Sequence, residues 1–200
     1  MINQKYKVIV PPNQLTEELA YWLGFLLADG NLRRQGQRSW QTRINLAERD
    51  KKHLQKFLDF LQSDYLIYDC PKTNSCMVTI TSEALGELLI NYGITPRKSR
   101  TARVDPRLVD NRHFWRGVFD GDGYIGKTNL RFGLGGTRDV CEKFTQFLGS
   151  GLKVHFKCND FYTVETCGSK AQHAISTLYD NAKIALERKA VLAGGYSYLS

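Results

Sequence analysis

Two aspartates, Asp29 and Asp122, stand at the same point of a repeated motif. The first copy reads Trp22-Leu23-Gly24-Phe25-Leu26-Leu27-Ala28-Asp29-Gly30, the second Trp115-Arg116-Gly117-Val118-Phe119-Asp120-Gly121-Asp122-Gly123. Carboxylates and carbonyls are hard oxygen ligands that suit Mg²⁺. Each acid closes a helical run, where the negative end of the macrodipole disfavours it by up to about 1 kcal/mol. Two acids brought together would also repel, and a divalent cation would relieve both penalties.

The elements that must position these acids are helices over about 15–29 and 112–122. Thr16 is a natural N-cap for the first, and Asp110 or Asn111 for the second. Gly30 and Gly123 stand where a C-terminal glycine cap belongs. Gly24 and Ala28, like Gly117 and Gly121, fall four apart on one helix face. Two such faces of nearly bare backbone can pack unusually closely. Asp120, where the first copy has Leu27, is about 200° around the helix from Asp122 and reads as structural.

An internal repeat sets the architecture before any local reading. Around the motif helices the chain divides into two α+β units, each in the order αββαββα. The first has strands at about 31–34 and 40–48, a helix at 50–62, strands at 65–70 and 76–80, and a helix at 82–92. The second has strands at 124–127 and 129–135, a helix at 138–149, strands at 152–158 and 161–166, and a helix at 169–181. Residues 1–99 form the first repeat, 100–110 a charged linker containing Pro106, and 111–200 the second repeat, with a loose Gly-rich tail.

The strands alternate with period two. Leu152, Val154, Phe156 and Cys158 interleave with Lys153, His155, Lys157 and Asn159. Leu130, Phe132 and Leu134 interleave with Asn129 and Arg131, and Ile44 and Leu46 with Gln41, Arg43 and Asn45. Each sheet therefore has an apolar face for the helices and a basic, amide-rich face poor in acids, Glu165 being one of few exceptions. Such side chains suit phosphates and base edges in a major groove. Arg33, Arg34, Gln37 and Arg38 mark a hairpin tip that would track a phosphate backbone; Lys72 and Lys127 add to the same charge.

Composition agrees. The chain has 200 residues and a net charge of +8, which points to an anionic partner. Five cysteines without a CxxC pair suit a reducing compartment rather than disulfides or zinc. The N-terminal residues lack a secretion signal, so cytoplasm or an organelle matrix is expected. No apolar run approaches the roughly 20 residues needed to span a bilayer.

The paired motifs resemble those of the single-chain, two-repeat LAGLIDADG homing endonucleases, over about residues 14–190. Both repeats close on an Arg-Lys pair, Arg97-Lys98 and Arg188-Lys189. The lysines follow the motif acids by 69 and 67 residues. The resemblance implies a pseudo-symmetric α+β fold with two antiparallel four-stranded DNA-binding sheets, joined through the motif helices. It implies Mg²⁺-dependent double-strand cleavage of a long asymmetric DNA site across the minor groove, leaving 3′ overhangs, by a monomer. Mn²⁺ or Ca²⁺ would replace Mg²⁺ in binding. Asp29 and Asp122, helped by the carbonyls of Ala28 and Gly121, would hold the metal. Lys98 and Lys189 would stabilise phosphate charge or order water, and Glu48 would contact metal-bound water. The second repeat has Thr137 in the place of Glu48, so the two sites should differ. An intron-RNA-binding maturase and an inactive DNA-binding regulator of the same fold are the alternatives.

Overall fold

The computed structural model describes residues 6–11, 14–36, 39–126, 130–149 and 151–197. The first repeat runs α1 (Glu17–Ala28), β1 (Gly30–Gln35), β2 (Ser39–Ala47), α2 (Lys51–Phe60), β3 (Tyr68–Cys70), β4 (Ser75–Thr81) and α3 (Glu83–Asn91). The second runs α4 (Arg112–Asp122), β5 (Gly123–Ile125), β6 (Arg131–Gly136), α5 (Arg138–Leu148), β7 (Val154–Cys158), β8 (Phe161–Cys167), α6 (Gly168–Tyr179) and α7 (Glu187–Ser197). Each repeat holds one four-stranded antiparallel sheet, in the orders β1-β2-β4-β3 and β5-β6-β8-β7. The pseudo-symmetric α+β layout read from the sequence is the one observed.

Polar caps set the helix starts. Thr16 accepts the Leu19 amide, and Asn111 accepts those of His113 and Phe114. Ser82 and Thr137 cap α3 and α5 in the same way. The motif tryptophans anchor each helix to its own repeat. Trp22 packs on Phe57 and Phe60, Trp115 on Phe144 and Phe147. Burying one such side chain contributes about 1.5–3 kcal/mol.

Three local expectations are corrected. Gly30 and Gly123 do not adopt the left-handed cap conformation. They are glycines because a Cβ would meet the Leu26 carbonyl at 2.5 Å and the Phe119 ring at 2.3 Å. β3 is only three residues long, ended by Pro71. The Gly-rich tail is helical as far as Ser197, the end of α7.

Two arms cross between the repeats. After Lys98, the chain passes the second repeat, where Thr137 donates to the Ala102 carbonyl, Asp139 accepts the Val104 amide and Lys143 donates to the Val104 carbonyl. Before Lys189, the chain passes the first repeat, where Lys56 donates to the Ala185 carbonyl and Arg188 donates to Asp50. Asp50 and Asp139 each sit at the start of the helix that follows the second strand of their sheet.

Candidate active site

α1 and α4 meet along their small-residue faces. A Cβ on Gly24 would lie 2.0 Å from the Phe114 carbonyl oxygen, and one on Gly117 2.0 Å from that of Tyr21. At the C-terminal ends, a Cβ on Gly121 would lie 2.4 Å from the Ala28 Cβ and 3.4 Å from the Asp29 carboxylate. Bare backbone is therefore what lets the two helix ends, and with them Asp29 and Asp122, come together.

Both aspartates are solvent-exposed. The packed helix ends nevertheless strip water from the protein side of the carboxylates. This desolvation raises Asp29 above the ordinary carboxylate range, against the opposing charges of Lys189, Lys98 and Arg188. It pushes Asp122 up to about 6, with Asp29 adding repulsion and the lysines opposing it. The pair is thus an oxygen-donor set whose own cations leave it under-compensated. That chemistry fits a divalent ion.

The two lysines are buried, at 7% and 1% exposure for Lys98 and Lys189. Lys98 donates to the Ala28 carbonyl at 3.1 Å, beside the acids. The Ala28 oxygen therefore shares its lone pairs with an ammonium. Lys189 donates to the carbonyls of Phe119, Asp120 and Gly123 at 2.6, 2.7 and 2.5 Å. An ammonium has three donors, so all of them are used. Lys189 braces the end of α4 and projects charge onto the acids without presenting a donor to a substrate. Burial lowers it to about 8.

Glu48 is exposed in a 3-10 turn after β2. A cavity of about 500 Å³ beside it is lined by Asp50, His53, Lys56 and Arg188. Its counterpart Thr137 is buried, with its hydroxyl committed to capping α5 and to the Ala102 carbonyl. A smaller cavity, about 250 Å³, is lined by Ala28, Lys98, Asp122, Thr137 and Phe161. The two halves of the centre are built differently, as the Glu48–Thr137 difference suggests.

Asp120 faces away from the centre. Its fully buried carboxylate accepts from the hydroxyls of Tyr21 and Tyr179, at 2.7 and 2.6 Å, and from the Leu186 amide at 2.7 Å. This is the structural role expected for it.

The outer face of the first sheet carries Asn31, Arg33, Arg43, Asn45 and Thr79, with no acid among them. Gln41 lies on that face but is buried, close to Gln35. Arg34 turns to the opposite side, over the Trp40 ring at 4.6 Å and paired with Glu83 at 2.6 Å. Lys72 is exposed in a 3-10 turn between β3 and β4. On the second sheet Arg131, His155 and Lys157 are exposed, with Lys157 3.8 Å from Glu165. Lys153 is exposed just before β7, and Asn159 in the β7–β8 turn. Gln37, Arg38, Lys127 and Asn129 lie outside the described residues. The apolar side of β7 is only partly covered: Val154 is half-buried, whereas Phe156 is 62% exposed on this edge strand. Sequence alternation missed two residues on the second face, Tyr124 and Phe161; the Gly133 and Gly135 beneath them were the available signal.

No family model matches the chain, and no curated protein matches it by sequence. Solved structures do match its fold. The LAGLIDADG meganuclease I-AabMI, bound to uncleaved DNA, aligns over 93% of this chain and 90% of its own, with TM-score 0.64 and 16% identity. Mesophilic variants of the homing endonuclease I-DmoI align over 89% and 97%, with TM-score 0.64 and 18% identity. The LAGLIDADG homing endonuclease I-GzeII, in complex with its DNA target, aligns over 93% and 90%, with TM-score 0.60 and 13% identity.

Proposed function

We propose that this chain, which has the two-repeat fold of the LAGLIDADG homing endonucleases, is a site-specific DNA endonuclease. The observation that carries this reading is the meeting of Asp29 and Asp122 at the ends of two helices packed backbone to backbone, with buried lysines behind them. A carboxylate pair that its own cations leave under-compensated is a fitting seat for a divalent cation.

The residues divide the work. Asp29 and Asp122 hold divalent metal, with the Ala28 and Gly121 carbonyls alongside; one similar structure, I-DmoI, is a complex with DNA and Ca. Bound Mg²⁺ supplies Lewis-acid stabilisation of phosphate charge and an acidified water. Lys98 adds positive charge beside the acids. Lys189 holds the end of α4 so that Asp122 keeps its place. Glu48 orders solvent on the first side, and Thr137 has no hydroxyl donor to spare on the second. The two strands are therefore cut at unequal rates. The two sheet faces, on a monomer of net charge +8, track a long asymmetric duplex. Each strand is cut once across the minor groove, leaving 3′ overhangs.

The test is cleavage of a randomised-site plasmid library with Mg²⁺, beside an EDTA control and the Asp29→Asn, Asp122→Asn double variant. Metal-dependent double-strand cuts absent from the variant support the reading. DNA binding without cutting by the native chain would sink it in favour of a regulator.

A further inference from the structure

The two sheet faces share one register and differ in chemistry. Gly30 pairs with Ile44 and Gly123 with Leu134, which aligns the sheets residue by residue. Next in line, Asn31 stands opposite Arg43 in the first sheet, and Tyr124 opposite Gly133 in the second. On the other side of the reference pair, Asn45 of the first sheet corresponds to Gly135 of the second. Where the first face carries an arginine and an asparagine, the second carries two glycines.

Those glycines make room for rings. A Cβ on Gly133 would meet the Tyr124 ring at 2.3 Å, and one on Gly135 the Phe161 ring at 2.5 Å. Both rings lie against the sheet yet stay 44% and 45% exposed. Around them stand Arg131, His155, Lys157 and Glu165, all exposed, with Glu165 opposite Gly133 and 3.8 Å from Lys157. The patch is apolar inside a polar frame of mixed charge, and it continues the face that carries the polar readers of the first sheet. In the major groove only thymine offers an apolar group, its 5-methyl.

We propose that Tyr124 and Phe161 read thymine methyl groups in the half-site under the second sheet, while Arg43 and Asn45 read the other half-site by hydrogen bonds. This rests on the reading of the chain as a DNA endonuclease for its ligand, but on binding rather than on cutting.

The test starts with duplexes selected for binding to the full chain from a randomised library. Arg43→Ala marks the half-site under the first sheet, by the positions where its preference relaxes. Thymines in the opposite half-site are then replaced one at a time by deoxyuridine, which removes only the methyl. Burying a methyl corresponds to about fourfold in affinity, so each contacted thymine should show a loss of that size. In Phe161→Ala or Tyr124→Ala the loss should vanish at one thymine and persist at the others. Gly135→Ala, which displaces the Phe161 ring, should copy Phe161→Ala. Deoxyuridine tolerated throughout, penalties unchanged in both ring variants, or a selected half-site without thymine would each overturn the proposal. A selected site that is bound but never cut would sink the endonuclease reading and leave this one standing; no selected sequence at all would sink both.

Discussion

The Tyr21 hydroxyl of the first repeat donates to the buried Asp120 carboxylate of the second at 2.7 Å. Its single proton is spent there, so His53 Nε2, 2.9 Å from the same oxygen, must be the donor of that contact. Nε2 therefore carries a proton, and burial keeps the ring neutral at pH 7. A relay of His53, Tyr21, Asp120 and Tyr179 runs through the core from one repeat to the other. Tyr21→Phe removes the middle of it and leaves two buried partners short. The expected cost is about 1–3 kcal/mol of unfolding free energy, read by urea titration. A neutral result would mean the relay adds nothing to the joint.

His53 also gives the fold a pH dependence. Burial, with the charges of Lys56 and Arg188, lowers it to about 3. As pH falls below the unfolded value near 6.5 the unfolded chain takes up the proton first. Stability present at neutral pH is therefore lost progressively down to about pH 3. Between pH 7 and pH 4.5 the native chain should lose about 2–3 kcal/mol more than His53→Gln. Parallel losses in denaturant titrations at the two pH values would remove His53 as the cause.

The acids of the centre work in the opposite sense. With Asp122 raised to about 6, its ionised form is disfavoured in the folded state, and this penalty is present above pH 6 and relieved below it. Asp122→Asn should therefore raise the melting temperature at pH 8 in EDTA. Mg²⁺ should raise that of the native chain and leave the variant unmoved. In cleavage, the acid limb near pH 6 should shift to lower pH as Mg²⁺ increases.

Close helix packing predicts a sharp response to one methyl group. Gly117→Ala places its Cβ 2.0 Å from the Tyr21 carbonyl oxygen, so the helices must separate. Overpacking of this kind costs about 1–3 kcal/mol. Melting temperature and cleavage should both fall, because the helix pair also sets the spacing of Asp29 and Asp122. Full activity at native stability would show that the helices tolerate being spread.

The two lysines should fail differently. Lys189→Met leaves three carbonyls at the end of α4 without their shared donor, where an unmet buried acceptor costs about 1–3 kcal/mol. Lys98→Met frees only the Ala28 carbonyl. Calorimetry should find the first variant markedly less stable than the second, and cleavage assays should find both impaired.

The repeat made the centre legible. Two acids at one motif position, and small residues four apart, already imply paired helices, because only bare backbone permits that approach. The role of Asp120 followed from helical rotation alone. Alternation could also have separated Arg33 from Arg34, since neighbours on a strand face opposite sides; Arg34 joins Trp40 and Glu83 instead of the outer face. The three carbonyls gathered by Lys189 were not readable, because they depend on how a segment 66 to 70 residues away folds back. Nor was the burial of Gln41, which depends on how neighbours in the finished sheet cover it.

The residues that join the repeats and those that line the outer sheet faces are disjoint sets. Tyr21, Gly24, Gly117, Asp120 and the crossing arms belong to the first; Asn31, Arg43, Asn45, Tyr124 and Gly133 belong to the second, whereas Phe161 also borders the cavity beside Asp122 and is tied to the centre. Substitutions can therefore accumulate at those face positions without loosening the joint between the repeats. The duplicated chain is a modular instrument, able to drift in what it recognises, one half at a time, while its working centre stays unaltered.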